Sequence, residues 1–169
     1  MQQEEWFHRA VIYQVDSSLF YDANGDGFGD LAGIRQKLHY IRSLGATVLW
    51  LTPFYLTPLQ DDGYDISDHL QPDPRFGTIA DVIELIARAR ELGLRVIVEL
   101  VIQHTSARHP WFQAARRDPR SPWRPYYLWA DQPPENDDPP MFPGVEESVW
   151  SWDDQAGQYY RHMFYRHEP

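Results

Sequence analysis

Two groups of oxygen-bearing side chains and one histidine are the residues of this chain best equipped for chemistry. Asp22, Asn24, Asp26 and Asp30 sit two or four apart in the loop DANGDGFGD, with glycines between them that let the backbone curl tightly. Hard cations take cages of about six to eight such oxygens. The loop opens like an EF-hand loop, yet its twelfth position is Gly33 rather than glutamate and a strand-like segment precedes it, which argues against an EF-hand. The expected site is a structural Ca2+ held by Asp22, Asn24, Asp26 and Asp30, with Phe28 adding only its backbone carbonyl. A metal-free turn built on Asx hydrogen bonds is the competing reading.

The second group is PLQDDGYDISDH, residues 58–69, where Asp61, Asp62, Asp65 and Asp68 surround Gly63 and Tyr64. Carboxylates beside an aromatic ring suit a polyol, because the carboxylate accepts from hydroxyls and the ring packs on the C–H face. His104 closes the apolar run LRVIVELVI and can donate to a substrate oxygen. Glu99 interrupts that run. A carboxylate there needs partners, and five residues from His104 it leans to the opposite face of an ideal strand. Its expected role is to organise neighbouring strands.

The elements that must carry these residues read as strand, helix, strand, helix, strand. Ala10–Val15 is a first strand, and Leu31, Ile34, Leu38, Ile41 and Leu44 give a helix its apolar stripe before Gly45. Residues 46–51 form a second strand, and 52–77 a long proline- and aspartate-rich loop. Thr78 and Asp81 mark the start of a second helix with Ile79, Val82, Ile83, Leu85, Ile86 and Leu92 as its apolar face. The run from Leu94 to Ile102 is then a strand covered on both faces. Parallel α/β architecture follows, with ligands bound beyond the carboxyl ends of the strands, where the long loops lie.

After Ser106 the texture changes. Ten of the 14 prolines and five of the 7 tryptophans fall in residues 107–169, without sustained periodicity, so this part reads as a separate excursion. Its tail suggests a hairpin turning at Asp153–Gly157. The expected division is 1–106 and 107–169. Three strands with an open edge make an unlikely complete enzyme, so a fragment is expected.

The formal charge of −10 argues against nucleic acid or an anionic membrane surface as the main partner. There is no cysteine, which excludes disulfides and thiolate chemistry. The opening MQQEEWFHRAVIY lacks a signal-like apolar core, so a cytoplasmic location is expected.

In combination, AVIYQV, the DANGDGFGD loop, LGATVLWLTPFY, DDGYDISD and the strand ending in His104–Thr105–Ser106 before HPWF resemble the α-amylase family of glycoside hydrolases. The resemblance covers essentially the whole chain. It implies a partial (β/α)8 barrel, with the first three strands and two helices, and an aromatic- and proline-rich subdomain inserted after the third strand. By the same resemblance, Asp22–Asp30 corresponds to the family's Ca2+ site, and Asp61, Tyr64 and His104 to residues that hold the non-reducing glucose of an α-linked disaccharide or oligosaccharide. Glu99, where most members carry aspartate, and the tail resemble the trehalose-synthase branch, which isomerises maltose to trehalose. An α-glucosidase parent, or a non-catalytic carbohydrate- or calcium-binding remnant, is the alternative. Gln103 stands where asparagine is usual and must fit a longer amide at the same strand end. The family's retaining mechanism uses an aspartate nucleophile and a glutamate acid/base about 5 Å apart. Both lie in segments this chain does not contain, so no catalytic residue is assigned and the isolated chain is expected to be inactive.

Overall fold

The structure, a computed structural model, describes residues 5–135 and 137–169. Met1–Glu4, part of the stretch read for a signal core, and Asn136 lie outside the described residues. In chain order the elements are β1 (Ile12–Val15), α1 (Leu31–Ser43), β2 (Val48–Leu51), β3 (Tyr55–Leu56), β4 (Asp68–Pro72), α2 (Ile79–Glu91), β5 (Arg95–Val98), α3 (Pro110–Arg117), β6 (Trp129–Ala130), β7 (Trp150–Asp153) and β8 (Gln158–Arg161). No helix among the described residues is long and apolar enough to cross a membrane.

The first of two compact units comprises residues up to Tyr55 together with Leu70–Leu100. β1, β2 and β5 form a parallel sheet with β2 in the middle, Ile12 opposite Val48 and Val48 opposite Arg95. Val48, Leu49 and Leu51 of the central strand are buried, as are Leu31, Ile34, Leu38 and Ile41 of α1, the stripe read from the sequence. Leu44, the fifth member of that stripe, is exposed because the helix ends at Ser43. At α2 the expected start holds: Thr78 accepts from the Asp81 N–H while the Asp81 carboxylate accepts from Thr78. Such a capping box satisfies two helix N–H groups that otherwise lack partners.

Two expectations for this unit fail. The apolar face of α2 buries only Leu85 and Ala89 and leaves Ile79, Ile83 and Ile86 exposed, since α2 packs against α1 and β5 along a narrower stripe than its composition offers. The apolar run after Gly93 is also not a strand covered throughout. β5 stops at Val98, and Val98, Leu100 and Ile102 are exposed. β5 is an edge strand with a neighbour on one side only, so its alternate residues have little to pack against. Glu99 consequently follows the strand instead of interrupting it.

The second unit comprises Leu56–His69 and Val101–Pro169. Residues 56–69 and 101–106 thus cluster with the chain that follows Ser106. α3 starts at Pro110, whose missing N–H costs nothing in a first turn, after His109 has capped the Trp111 N–H. Periodicity gave no sign of this eight-residue helix; the His-Pro pair was the available signal. The tail forms the expected hairpin, with β7 and β8 antiparallel about Asp153–Gly157, and β6 joins on the far side of β8. Phe112, Ala115, Tyr127 and Tyr160 make the core, with Trp111, Trp123 and Trp129 packed around them. The buried Asp153 pairs with Arg116 at 2.7 Å, which fastens α3 to the hairpin.

Candidate functional site

The Asp22–Asp30 loop folds around its own carboxylates. Asp22 accepts from the Gly25 and Gly27 N–H groups at 2.6 and 2.8 Å, Asn24 Oδ1 from Asp26 N–H, and Asp26 from Phe28 N–H. The bonds from Gly27 and Gly25 hold Asp22 below its usual acidity range, so it stays charged. Asp30 plays a different part. Buried, it caps α1 through the Gly33 N–H at 2.6 Å and also accepts from Ala23 N–H, so both its oxygens are engaged away from the exposed turn. Among the described residues no three His, Asp or Glu side chains converge as a metal-binding group. Asn24 and Asp26 stand exposed in the turn and Asp22 half-buried, while Asp30 is buried at its foot, and each of the three aspartates already accepts at both oxygens from groups within the loop or α1. Gly33 has its own cause: a Cβ there would lie 2.1 Å from the Tyr21 carbonyl oxygen.

The aspartate-rich loop is organised from inside by Asp65. This fully buried carboxylate accepts from Thr57 Oγ1 at 2.7 Å and from the Gln60 and Asp61 N–H groups at 3.2 and 3.3 Å. Thr57 in turn accepts from Leu59 N–H. Leu59 and Asp62 adopt positive φ of 55° and 47°, and Gly63 follows at 101°, a sharp reversal that Asp65 holds closed. With the loop pinned from below, the Asp61 side chain stays half-buried, and its charge favours the protonated form of His104.

His104 is buried, with Nε2 donating to the Tyr64 carbonyl at 3.1 Å and Nδ1 2.7 Å from the Gln103 side-chain amide. Burial lowers its basicity, while the Tyr64 bond and the charges of Asp61 and Asp65 oppose that. Gln103 is accommodated by lying along the imidazole edge. Phe164 meets the ring edge to face, with centroids 5.5 Å apart. Fixed carboxylates, an oriented imidazole and aromatic faces are the chemistry of a site that binds a ring of hydroxyls. Asp61, Tyr64, Gln103 and His104 are thus brought together within the second unit. Glu99 lies in the first, half-buried just beyond β5.

A profile of the α-amylase catalytic domain matches residues 14–169. The chain belongs to the α-amylase family. Glucan 1,6-α-glucosidase of Streptococcus pneumoniae serotype 4 is 47% identical over 167 residues, covering 99% of this chain and 30% of that protein. Trehalose synthase of Thermus thermophilus is 48% identical over 165 residues, 97% of this chain and 17% of its own length. Among solved structures, trehalulose synthase MutB from Pseudomonas mesoacidophila superposes with a TM-score of 0.87 at 40% identity, covering 97% of this chain and 30% of that one. Trehalose-6-phosphate hydrolase TreA of Bacillus licheniformis gives 0.86 at 39% identity, with 96% and 30% covered. The chain therefore spans about three-tenths or less of the length of these relatives. Its three parallel strands and two helices are part of the family's (β/α)8 barrel.

In this α-amylase-family chain the structure adds a residue that sequence reasoning missed. Glu168, fully buried, places Oε1 3.6 Å from His104 Nε2, and neither of its carboxyl oxygens meets a donor among the described residues. Main-chain hydrogen bonds put it there: Thr105 N–H donates to Pro169 O at 3.1 Å and Ala107 N–H to His167 O at 2.7 Å, while Ser106 N–H donates to Ile66 O at 2.8 Å. Burial, then the neighbouring Asp61 carboxylate, push the Glu168 carboxyl far up from its ordinary range. No local motif marks it. Asp65 was visible only as one of four aspartates, because nothing in the sequence tells an inward carboxylate from an outward one.

Proposed function

We propose that this chain supplies the sugar-ring binding part of a retaining enzyme that transfers or hydrolyses α-linked glucosyl units, and that the reaction is the isomerisation of maltose to trehalose. The carrying observation is the convergence of the Asp61 carboxylate, His104 and Phe164 in one partly buried place. Asp61 would accept from ring hydroxyls, His104 would share its Nε2–H between the Tyr64 carbonyl and a neighbouring hydroxyl, and Tyr64 and Phe164 would offer apolar faces. The trehalose synthases of Mycobacterium tuberculosis and Thermus thermophilus, 46% and 48% identical, support this reading.

These residues would hold the ring without breaking its bond. A retaining pair needs carboxyls about 5 Å apart on either side of the scissile bond. The Asp61 carboxylate helps to hold the buried Glu168 carboxyl in its protonated form, and neither is assigned to bond breaking. Ca2+ at Asp22, Asn24, Asp26 and the Phe28 carbonyl would have a structural role, neutralising the loop and fixing the entry to α1.

A second reading, an α-glucosidase, draws on the glucan 1,6-α-glucosidase at 47% identity and on a probable α-glucosidase of Rhizobium meliloti at 44%. The test is incubation of the full-length protein with maltose and isomaltose. Accumulating trehalose supports the isomerase, and glucose alone supports the glucosidase. The 169 residues on their own should convert neither sugar, and conversion would overturn the assignment of Asp61, Tyr64 and His104 to binding alone.

A further inference from the structure

The two nitrogens of the His104 ring make different demands on their neighbours. Nε2 lies 3.1 Å from the Tyr64 carbonyl oxygen, an atom that can only accept, so Nε2 must hold a proton. A neutral imidazole has one proton, which leaves Nδ1 a bare acceptor. Nδ1 in turn lies 2.7 Å from the side-chain amide of Gln103. Two acceptors do not rest at that distance. Either the ring is an imidazolium that donates to the amide oxygen, or the amide presents its NH2 to a neutral ring. Burial is the largest influence on the ring and favours the neutral form; the Tyr64 bond and the charges of Asp61 and Asp65 oppose it, and His167 acts with it. The other carboxyl at the ring, Glu168, has Oε1 3.6 Å from Nε2 and is itself driven toward its neutral form by burial. The oxygen and NH2 ends of an amide are nearly equal in size, so presenting the NH2 requires no change in packing.

We propose that Gln103 is a positioning residue of the ring site: its NH2 donates to Nδ1 of His104 and so keeps the imidazole proton on Nε2, the nitrogen shared between the Tyr64 carbonyl and a sugar hydroxyl. This rests on the reading of His104 as a ring contact. Phe164, whose ring stands at 74° to the imidazole with centroids 5.5 Å apart, sets the plane of the imidazole but not which nitrogen carries the proton. With the proton on Nδ1, the Nε2 lone pair would face the Tyr64 oxygen and the donor offered to the sugar would be lost. Side-chain length matters here. Asparagine is shorter by one C–C bond, about 1.5 Å, and would draw the amide out of hydrogen-bonding reach of Nδ1.

The test reads the tautomer in the full-length protein with 15N-labelled histidine. The ring-nitrogen resonances that vanish in His104→Ala belong to His104, and at neutral pH they should show a proton on Nε2 and a bare Nδ1. A proton on Nδ1, alone or together with one on Nε2, would overturn the proposal, and the wild-type spectrum decides this whether or not any variant folds. Gln103→Met keeps the length of the side chain but has no donor, and should give a mixture of tautomers. Gln103→Glu offers Nδ1 only an acceptor, and should give a ring protonated at both nitrogens. A Met variant with the wild-type spectrum would also overturn the proposal. In calorimetric titration with D-glucose, Gln103→Met and Gln103→Asn should each bind about tenfold more weakly than the wild type, the effect of one lost hydrogen bond. Unchanged affinity in the Met variant would reduce Gln103 to a packing role and overturn the proposal. Absence of glucose binding by the wild type would instead count against the ring-site reading, with the 15N spectra still deciding whether Gln103 sets the tautomer.

Discussion

Oε1 of Glu168 stands 3.6 Å from Nε2 of His104, too far for a hydrogen bond, and burial favours the neutral form of both groups. The Thr105–Pro169 and Ala107–His167 main-chain bonds impose the approach, so the pair is held by backbone and not by mutual attraction. The consequences are measurable.

Glu168 makes stability depend on alkaline pH. Its folded-state value is pushed up to about 8 from an ordinary 4.5, so the folded chain holds a proton that the unfolded chain releases. The resulting stabilisation is complete below the unfolded value and is lost as pH rises through about 8. The urea midpoint of the wild type should fall between pH 7 and pH 9, and that of Glu168→Gln should stay level across the window. A flat wild-type curve would contradict the assignment.

Asp65→Ala should be severe. It strands the Thr57 hydroxyl and the Gln60 and Asp61 N–H groups that this buried carboxylate satisfies. Each buried group left unpaired costs about 1–3 kcal/mol. A loss of about 3 kcal/mol or more in urea unfolding is expected, together with loss of glucose binding because Asp61 is no longer anchored. Asp62→Ala, at an exposed neighbour, should lower stability far less.

Thr78→Ala removes one half of the α2 capping box and should cost about 1 kcal/mol. Its effect should be confined to stability. Glucose affinity measured on the same preparation should equal that of the wild type, since Thr78 lies outside the ring site.

Gly33→Ala places a methyl group 2.1 Å from the Tyr21 carbonyl oxygen. Backbone cannot yield as a flexible side chain can, so a loss of about 1–3 kcal/mol or more is expected. If unfolding of this variant matched the wild type, the packing of the loop onto α1 would be wrong.

For Ca2+ the decisive comparison is between Asp22 and Asp30. Calorimetry should detect Ca2+ binding in the wild type and lose it in Asp22→Asn, whose remaining oxygen is uncharged. Asp30→Asn should chiefly lower thermal stability, because Asp30 serves the start of α1. Loss of binding in both variants alike would place Asp30 among the ligands.

Much of this protein was legible from residue order alone. Strand, helix, strand, helix, strand followed from apolar spacing and from glycines at helix ends, since burial of one stripe is a local demand written into neighbouring residues. The Thr78 cap and the Asp153–Gly157 hairpin were legible for the same reason. What only the tertiary structure decided depends on which distant segments meet. Periodicity placed the whole run from Leu94 to Ile102 in a covered strand, whereas β5 ends at Val98 and Val98, Leu100 and Ile102 are exposed, because periodicity records which residues favour burial and not which of them meet a neighbour. Nor could it separate four similar aspartates into the buried organiser Asp65 and the half-buried Asp61. Glu168 is the clearest case: its protonation is set by desolvation and by charges more than sixty positions away in sequence, and such terms exist only once the chain has folded.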